Sequence, residues 1–233
     1  MNLESDNNKT SIIRLFNVTK RYGAKLALND VSLDVEQGEF IFISGPSGAG
    51  KSTLLKVLYL AERVSEGQIL IDGMNLSRIS ASKLPVLRRR FGMIFQDFKL
   101  IPNRTVYENV ALVLEVAGEK PSYIKKKVMH VLRTTGMEKM AKALPPTLSG
   151  GEQQRVAVAR ALVGEPSIIL ADEPTGSLDD KSAKLVLDFL MEYHKKGATI
   201  LMATHNLGLL DSMVRGRNIE LEEGRLQRTS TML

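Results

Sequence analysis

The clearest chemistry in the chain lies in Gly45-Pro46-Ser47-Gly48-Ala49-Gly50-Lys51-Ser52, followed by Thr53. The stretch fits G-x-x-x-x-G-K-[ST], a phosphate-binding loop. Its glycines let the backbone wrap tightly and turn N–H groups toward an anion. A helix opening at the loop presents its positive end to the same anion. Lys51 adds a mobile positive charge for terminal phosphates. The Ser52 hydroxyl is a hard oxygen ligand suited to Mg²⁺. Such a loop needs a strand before it and a helix after it. The apolar run Phe40-Ile41-Phe42-Ile43 reads as the strand, and Thr53 to Ala61 as the helix.

Five further places carry polar chemistry. Ser167 to Ala171 is an apolar run ending at Asp172-Glu173, and Thr199 to Ala203 ends at Thr204-His205. Runs of this kind suit parallel strands covered on both faces. Ligands of open α/β sheets bind beyond the carboxyl ends of such strands, so Gly45, Gln96, Asp172, Glu173 and His205 are expected along one edge. There Asp172 can hold Mg²⁺, and Glu173 can act as general base toward a water attacking a phosphate. His205 can hydrogen-bond that phosphate or the water through two ring nitrogens. Gln96 can reach the metal or water through its amide oxygen. Tyr22, between two expected strands, can stack on a base. Leu148 to Arg155 opens a helix with Ser149-Gly150-Gly151-Glu152, which reads either as a second anion site or as a plain capping box. The paired glycines are costly in a helix and call for a close approach of some kind.

The positioning elements follow from pattern. Ile12 to Val18, Leu26 to Val35, Gln68 to Ile71 and Phe91 to Phe95 read as strands, and Asn218 to Leu221 with Glu223-Gly224 as a closing hairpin. Ser82 to Arg89 reads as a helix limited by Pro85. Thr105 and Glu108 form a capping box before Val106, Val110, Val113 and Leu114 at helical spacing. Pro121 opens a second helix and Gly136 closes it. Lys181 to Lys196 is an amphipathic helix with Leu185, Phe189 and Tyr193 on one stripe. The helix-rich stretch from about 105 to 163 interrupts an otherwise alternating β/α chain. Phe98 to Tyr107 reads as an exposed loop whose Phe98, Leu100, Ile101 and Tyr107 either anchor a partner or pack the helical insertion onto the sheet.

The 233 residues suffice for one large domain or two small ones; 43% are hydrophobic and 25% charged, which supports a sizeable core. Cysteine is absent, so disulfides and thiolate metal sites are excluded. Residues 1–10 are polar and read as a flexible tail without a signal peptide's apolar core. No apolar run approaches a membrane span. The net charge of +6 favours anionic partners, although Arg88-Arg89-Arg90 and Lys125-Lys126-Lys127 read first as solvated faces.

In this order the segments resemble the ABC-type ATPases over nearly the whole chain. Gly45 to Ser52 is similar to the Walker A motif and Ile168 to Glu173 to the Walker B. Leu148 to Gln153 is similar to the signature, Gln96 to the Q-loop, Ser177-Leu178-Asp179 to the D-loop and His205 to the switch histidine. Ser177 stands where many relatives have Asn. The resemblance implies an α/β P-loop NTPase fold over 11–233. Its sheet is mostly parallel, with an N-terminal antiparallel β subdomain and an inserted helical subdomain of about 97–163. It implies ATP as substrate and Mg²⁺ as cofactor. Catalysis falls to Glu173, His205, Gln96 and Lys51, and the metal to Ser52, Gln96 and Asp172. Nucleotide contacts fall to Tyr22, in the family's adenine-stacking place, and to Gly45, Pro46, Ser47, Gly48, Ala49, Gly50, Lys51, Ser52 and Thr53. It also implies a head-to-tail homodimer with two ATP molecules at the interface, where Ser149, Gly150, Gly151 and Asp179 act in trans.

Phe95 to Val110 is most similar to the cell-division branch of that family. That branch implies an FtsX-like integral membrane partner, a cytoplasmic chain peripheral on the inner face of the membrane, and ATP turnover that controls cell-wall hydrolysis outside. Ala171 to Asp179 fits equally the ATPase subunits of lipoprotein-releasing or macrolide-efflux systems, the nearest alternative. A soluble ABC ATPase acting on nucleic acid suits the basic charge. Such proteins usually carry long coiled-coil insertions or two ATPase domains in one chain; neither occurs here, and no nucleic-acid partner is expected.

Overall fold

The computed structural model describes residues 11–176, 178–205 and 215–232. The expected tail at 1–10 and the D-loop residue Ser177 lie outside them. The chain opens with a long hairpin, β1 (Ser11–Tyr22) and β2 (Lys25–Glu36). β3 (Phe40–Ser44) leads into α1 (Lys51–Leu58). β4 (Glu66–Ile71), β5 (Met74–Asn75), α2 (Leu84–Arg88) and β6 (Phe91–Ile94) follow. Then come α3 (Val106–Val116), α4 (Pro121–Thr134) and α5 (Gly150–Leu162). β7 (Ile168–Asp172), α6 (Asp180–Lys195) and β8 (Thr199–Ala203) precede a last hairpin, β9 (Gly216–Glu222) and β10 (Arg225–Met232).

Two sheets form. The antiparallel one has the order β2-β1-β4-β5; the larger has the order β10-β9-β3-β8-β7-β6, parallel except for β10. β3, β7 and β8 are buried at every position, and their alternate residues feed two separate cores. Phe40, Phe42, Ile169, Ala171, Ile200 and Met202 pack with α3, α4, α5 and α6. Ile41, Ile43, Ile168, Leu170, Leu201 and Ala203 pack with α1 and the antiparallel sheet. This is the period-2 alternation of a strand, applied in a sheet covered on both faces.

Several boundaries differ from the sequence reading, each for a local reason. α1 starts at Lys51, inside the glycine motif, and ends at Leu58 rather than Ala61. Its end is a Schellman motif: Ala61 N–H donates to Lys56 O at 2.9 Å, Leu60 N–H to Val57 O at 3.3 Å, and Leu60 takes a left-handed φ of 57°. Tyr22 is the last residue of β1, paired with Lys25, not a residue between strands. On α6 the buried stripe is Ala183, Val186, Leu187 and Leu190; Leu185 is 37% exposed. The bulkier Leu185-Phe189-Tyr193 stripe lies on the shoulder of the helix. Residues 98–107 are not a free loop: Leu100 and Tyr107 pack against the helical-side core. Fully buried Asn109 ties the loop down, accepting from Ile101 N–H at 2.7 Å and donating to Ile101 O, Arg104 O and Thr105 O. The basic run at 88–90 is spent locally, Arg88 on Leu60 O, Arg89 on Val116 O and Arg90 in an ion pair with Asp72.

Candidate nucleotide-binding site

The parallel strands end in one row. Ile43 pairs with Ala203, Ala203 with Asp172, and Ala171 with Ile94. Gly45, His205, Glu173 and Gln96 therefore leave the sheet at the same level. A cavity of about 580 Å³ opens there, lined by Tyr22, Lys25, Ala27, Ser47, Gly48, Gly50, Lys51, Ser52, Thr53, Gln96, Glu173 and His205.

The loop between β3 and α1 is held from outside the motif. A Cβ on Gly50 would lie 2.4 Å from Ala27 O, and one on Gly45 2.0 Å from Leu221 O. Neither position admits a side chain, because β2 and β9 pass directly against the loop. The turn of the last hairpin closes this contact, with Gly224 N–H donating to Ala49 O and Asn29 N–H to Gly224 O. The Lys51 ammonium spans the loop, donating to Gly45 O at 2.8 Å and Pro46 O at 3.1 Å.

Ser52 Oγ donates to Asp172 Oδ1 at 2.9 Å. Burial pushes the Asp172 carboxyl above the usual carboxylate range, the Ser52 hydrogen bond opposes that, and neighbouring Glu173 adds to it. A hydroxyl and a carboxylate oxygen side by side are hard donors, few in number. That set fits Mg²⁺, which takes one or two protein oxygens and completes its shell with water and phosphate. Glu173 has left the strand: its φ is 46°, a strained value for a side chain of this size, and its N–H donates to Ala203 O at 2.9 Å. His205 Nδ1 lies 2.9 Å from Glu173 Oε2, an ion pair once the imidazole is protonated. Glu173 Oε2 is otherwise a buried oxygen with no hydrogen-bond donor among the described residues. The site thus sets a cationic, N–H-rich loop, a metal-type oxygen pair and a paired acid and imidazole around one cavity.

Ser149, Gly150, Gly151 and Asp179 do not line it. Ser149 caps α5 in a complete capping box with Glu152, whose carboxyl is held below the usual range by the Ser149 backbone N–H. Asp179 caps α6, accepting from Ser182 N–H and Oγ, both at 2.9 Å. A Cβ on Gly151 would meet Ser182 Oγ at 2.9 Å, whereas one on Gly150 would meet nothing within 4 Å. A side chain at Gly151 would thus crowd Ser182 within the chain, and Gly150 faces open space. Lys25 and Ala27 line the cavity without having been anticipated. Lys25 follows Tyr22-Gly23-Ala24 at a hairpin tip, where a cation beside an aromatic was the available signal.

A family model described as ABC transporter matches residues 28–176. The chain belongs to the ABC transporter family. The curated relatives include the cell division ATP-binding protein FtsE of Bacillus subtilis, 46% identical over 215 residues and spanning 91% of this chain and 93% of that protein. The protein of the same name from Escherichia coli is 45% identical over 216 residues, with 92% and 97% covered. Among solved structures, a dimeric bacterial ABC transporter cassette superposes with a TM-score of 0.88 at 37% identity, covering 95% of this chain and 99% of that one. A dimeric post-hydrolysis cassette bound to ADP and Pi gives a TM-score of 0.87 at 36% identity, with the same coverage. An ABC chain with this fold and these relatives is an ATPase. Among the described residues no helix is long and apolar enough to cross a membrane.

Proposed function

We propose that this chain is the ATP-binding and ATP-hydrolysing subunit of an FtsE-type cell-division complex. It sits on the inner face of the cell membrane and drives an FtsX-like integral membrane partner that governs cell-wall hydrolysis outside. The identity to FtsE proteins over nine-tenths of the chain supports the cell-division reading. The chemistry rests on one observation, the 2.9 Å approach of His205 Nδ1 to Glu173 Oε2 on the wall of the phosphate-loop cavity.

In this reading Tyr22 stacks on the base, while the loop N–H groups and Lys51 hold the phosphates. Glu173 takes the proton of the attacking water, and His205 holds that carboxylate and the terminal phosphate in register. Ser52 and Asp172 would hold Mg²⁺, with Gln96 reaching it by its amide oxygen; the bound ion neutralises charge on the phosphate oxygens. A second copy completes each site through Ser149, Gly150, Gly151 and Asp179. The open space at Gly150 supports an approach from outside the chain. The membrane partner docks in a groove of about 510 Å³ whose apolar wall includes Tyr59, Phe91, Phe95, Ile101, Val113 and Val116.

Glu173→Gln tests the reading. The variant binds ATP, but its single-turnover hydrolysis falls by about 10²–10⁴-fold, the usual loss with a general base. Hydrolysis near the unmodified rate would remove Glu173 from the mechanism.

A further inference from the structure

Lys20 is a buried cation outside the phosphate site. It lies in β1 two residues before Tyr22 and is 9% exposed. Its ammonium donates to Glu62 Oε2 at 2.8 Å and to Arg63 O at 2.9 Å. It also sits 4.7 Å from the centroid of the Tyr22 ring. The segment carrying Glu62 and Arg63 is stitched along β1 by two more bonds, Ser65 N–H to Thr19 O at 2.8 Å and Arg21 N–H to Ser65 Oγ at 3.0 Å. That segment leaves the end of α1, whose first residues are Lys51 and Ser52. A continuous set of contacts thus runs from the phosphate loop through α1 to one face of Tyr22.

Tyr22 is 42% exposed at a hairpin tip, beside Gly23 in the left-handed region. A half-exposed ring at such a place retains rotamer freedom that must be lost when a base stacks on it. Ordering it beforehand removes that cost from binding. An ammonium fixed by two oxygens orders it directionally, because the face of an aromatic ring attracts a cation. The pairing with Glu62 balances the charge, so the device acts on the ring and not on the triphosphate.

We propose that Lys20 is a positioning residue for the nucleobase: it holds the Tyr22 ring by one face so that the other is presented to the purine. The proposal rests on the reading of Tyr22 as the base-stacking residue. It requires that Lys20 matter for ligands with a base and not for the bare phosphate chain.

The test is calorimetric titration of the full chain with ATP and, separately, with inorganic tripolyphosphate, in EDTA so that no turnover occurs. Lys20→Met keeps the buried stem and removes the ammonium. It should weaken ATP binding by about three- to tenfold and leave tripolyphosphate affinity unchanged, which also shows that the variant is folded. Tyr22→Ala should weaken ATP binding by about tenfold or more. In the Tyr22→Ala background Lys20→Met should cost nothing further. Unchanged ATP affinity in Lys20→Met, a parallel loss for both ligands, or a loss that persists without Tyr22 would each overturn the proposal. If Tyr22→Ala itself leaves ATP affinity intact, the stacking reading falls and Lys20 with it. Tripolyphosphate binding would then report independently that the phosphate loop stands.

Discussion

Asp172 is a carboxylate kept where a neutral side chain would be easier to keep. Its pKa is raised chiefly by burial. An acid with a raised folded-state value holds its proton more tightly folded than unfolded. The folded state therefore loses stability as pH rises through that interval, and at neutral pH the ionised group is a net cost. Asn has the same shape and can still accept from Ser52 Oγ. Asp172→Asn is expected to melt higher than the unmodified chain in EDTA, by about 2–4 °C for each kcal/mol relieved, while losing Mg²⁺-dependent ATP turnover. Thermal melts from pH 4 upward check it: the gap between the two proteins should widen with pH, and a lower melting temperature at neutral pH would refute the account. Legibility at this scale divides by sequence distance. Lys51, Ser52, Asp172 and Glu173 could be read because each stands beside a strand end or glycine motif that announces it. Lys20 could not, because its partner Glu62 is fixed by tertiary packing, and Asn109 could not although its partners lie within eight residues, because nothing local marks a lysine or asparagine as buried. The left-handed φ of Glu173 was equally hidden, since no glycine or asparagine marks the position and its N–H bonds to Ala203 on another strand.

Between residues and molecule stand the helices and the segment after β6. The capping boxes at Thr105 and Ser149 were readable because both partners lie within four residues. The anchoring of 98–107 was legible only as one of two alternatives, because it depends on Asn109 and on α5. Arg160 of α5 donates to Phe98 O and Lys99 O, both at 2.6 Å, and those two residues hold left-handed φ values of 57° and 49°. The loop that follows Gln96 is thereby fastened to the helix that begins at Ser149. With Leu100 and Tyr107 packed against the core, the proposed docking surface is the neighbouring groove, where Val116 is 63% exposed at the end of α3. Val116→Gln is expected to leave melting temperature and ATP affinity unchanged, Gln being the better helix former. It should reduce co-purification with the membrane partner by about tenfold or more, as for a central interface residue. Full recovery of the partner on affinity purification would place its docking site elsewhere.

At the scale of the whole molecule, the cavity is walled by residues of one chain, while Ser149, Gly150, Gly151 and Asp179 stand apart from it. Both solved cassettes described above are dimers. Ser149→Arg, combined with Glu173→Gln, is expected to bind ATP with near-normal affinity and remain monomeric where Glu173→Gln alone dimerises. Light scattering on a sizing column with ATP and Mg²⁺ decides it, and a normal dimer would leave Ser149 with its capping role alone. The fold's outline was visible in the sequence because fully apolar runs and strand-end polar residues are properties of single segments. The pairing of β9 with β3 and the assignment of strand faces to two cores were not, because they depend on how distant segments stack. Those faces also govern how the chain can change in length. β3, β7 and β8 divide alternate positions between two cores, so exchange of one apolar residue for another is absorbed locally. Deleting one residue from β8 would instead send each side chain on one side of the gap to the opposite core. It would also draw His205 back along the sheet by about 3.3 Å, out of reach of Glu173. Insertions and deletions are compatible with this architecture only at turns such as that at Gly118 between α3 and α4, where an added Cβ would meet nothing within 4 Å and no row of the sheet has to be kept in step.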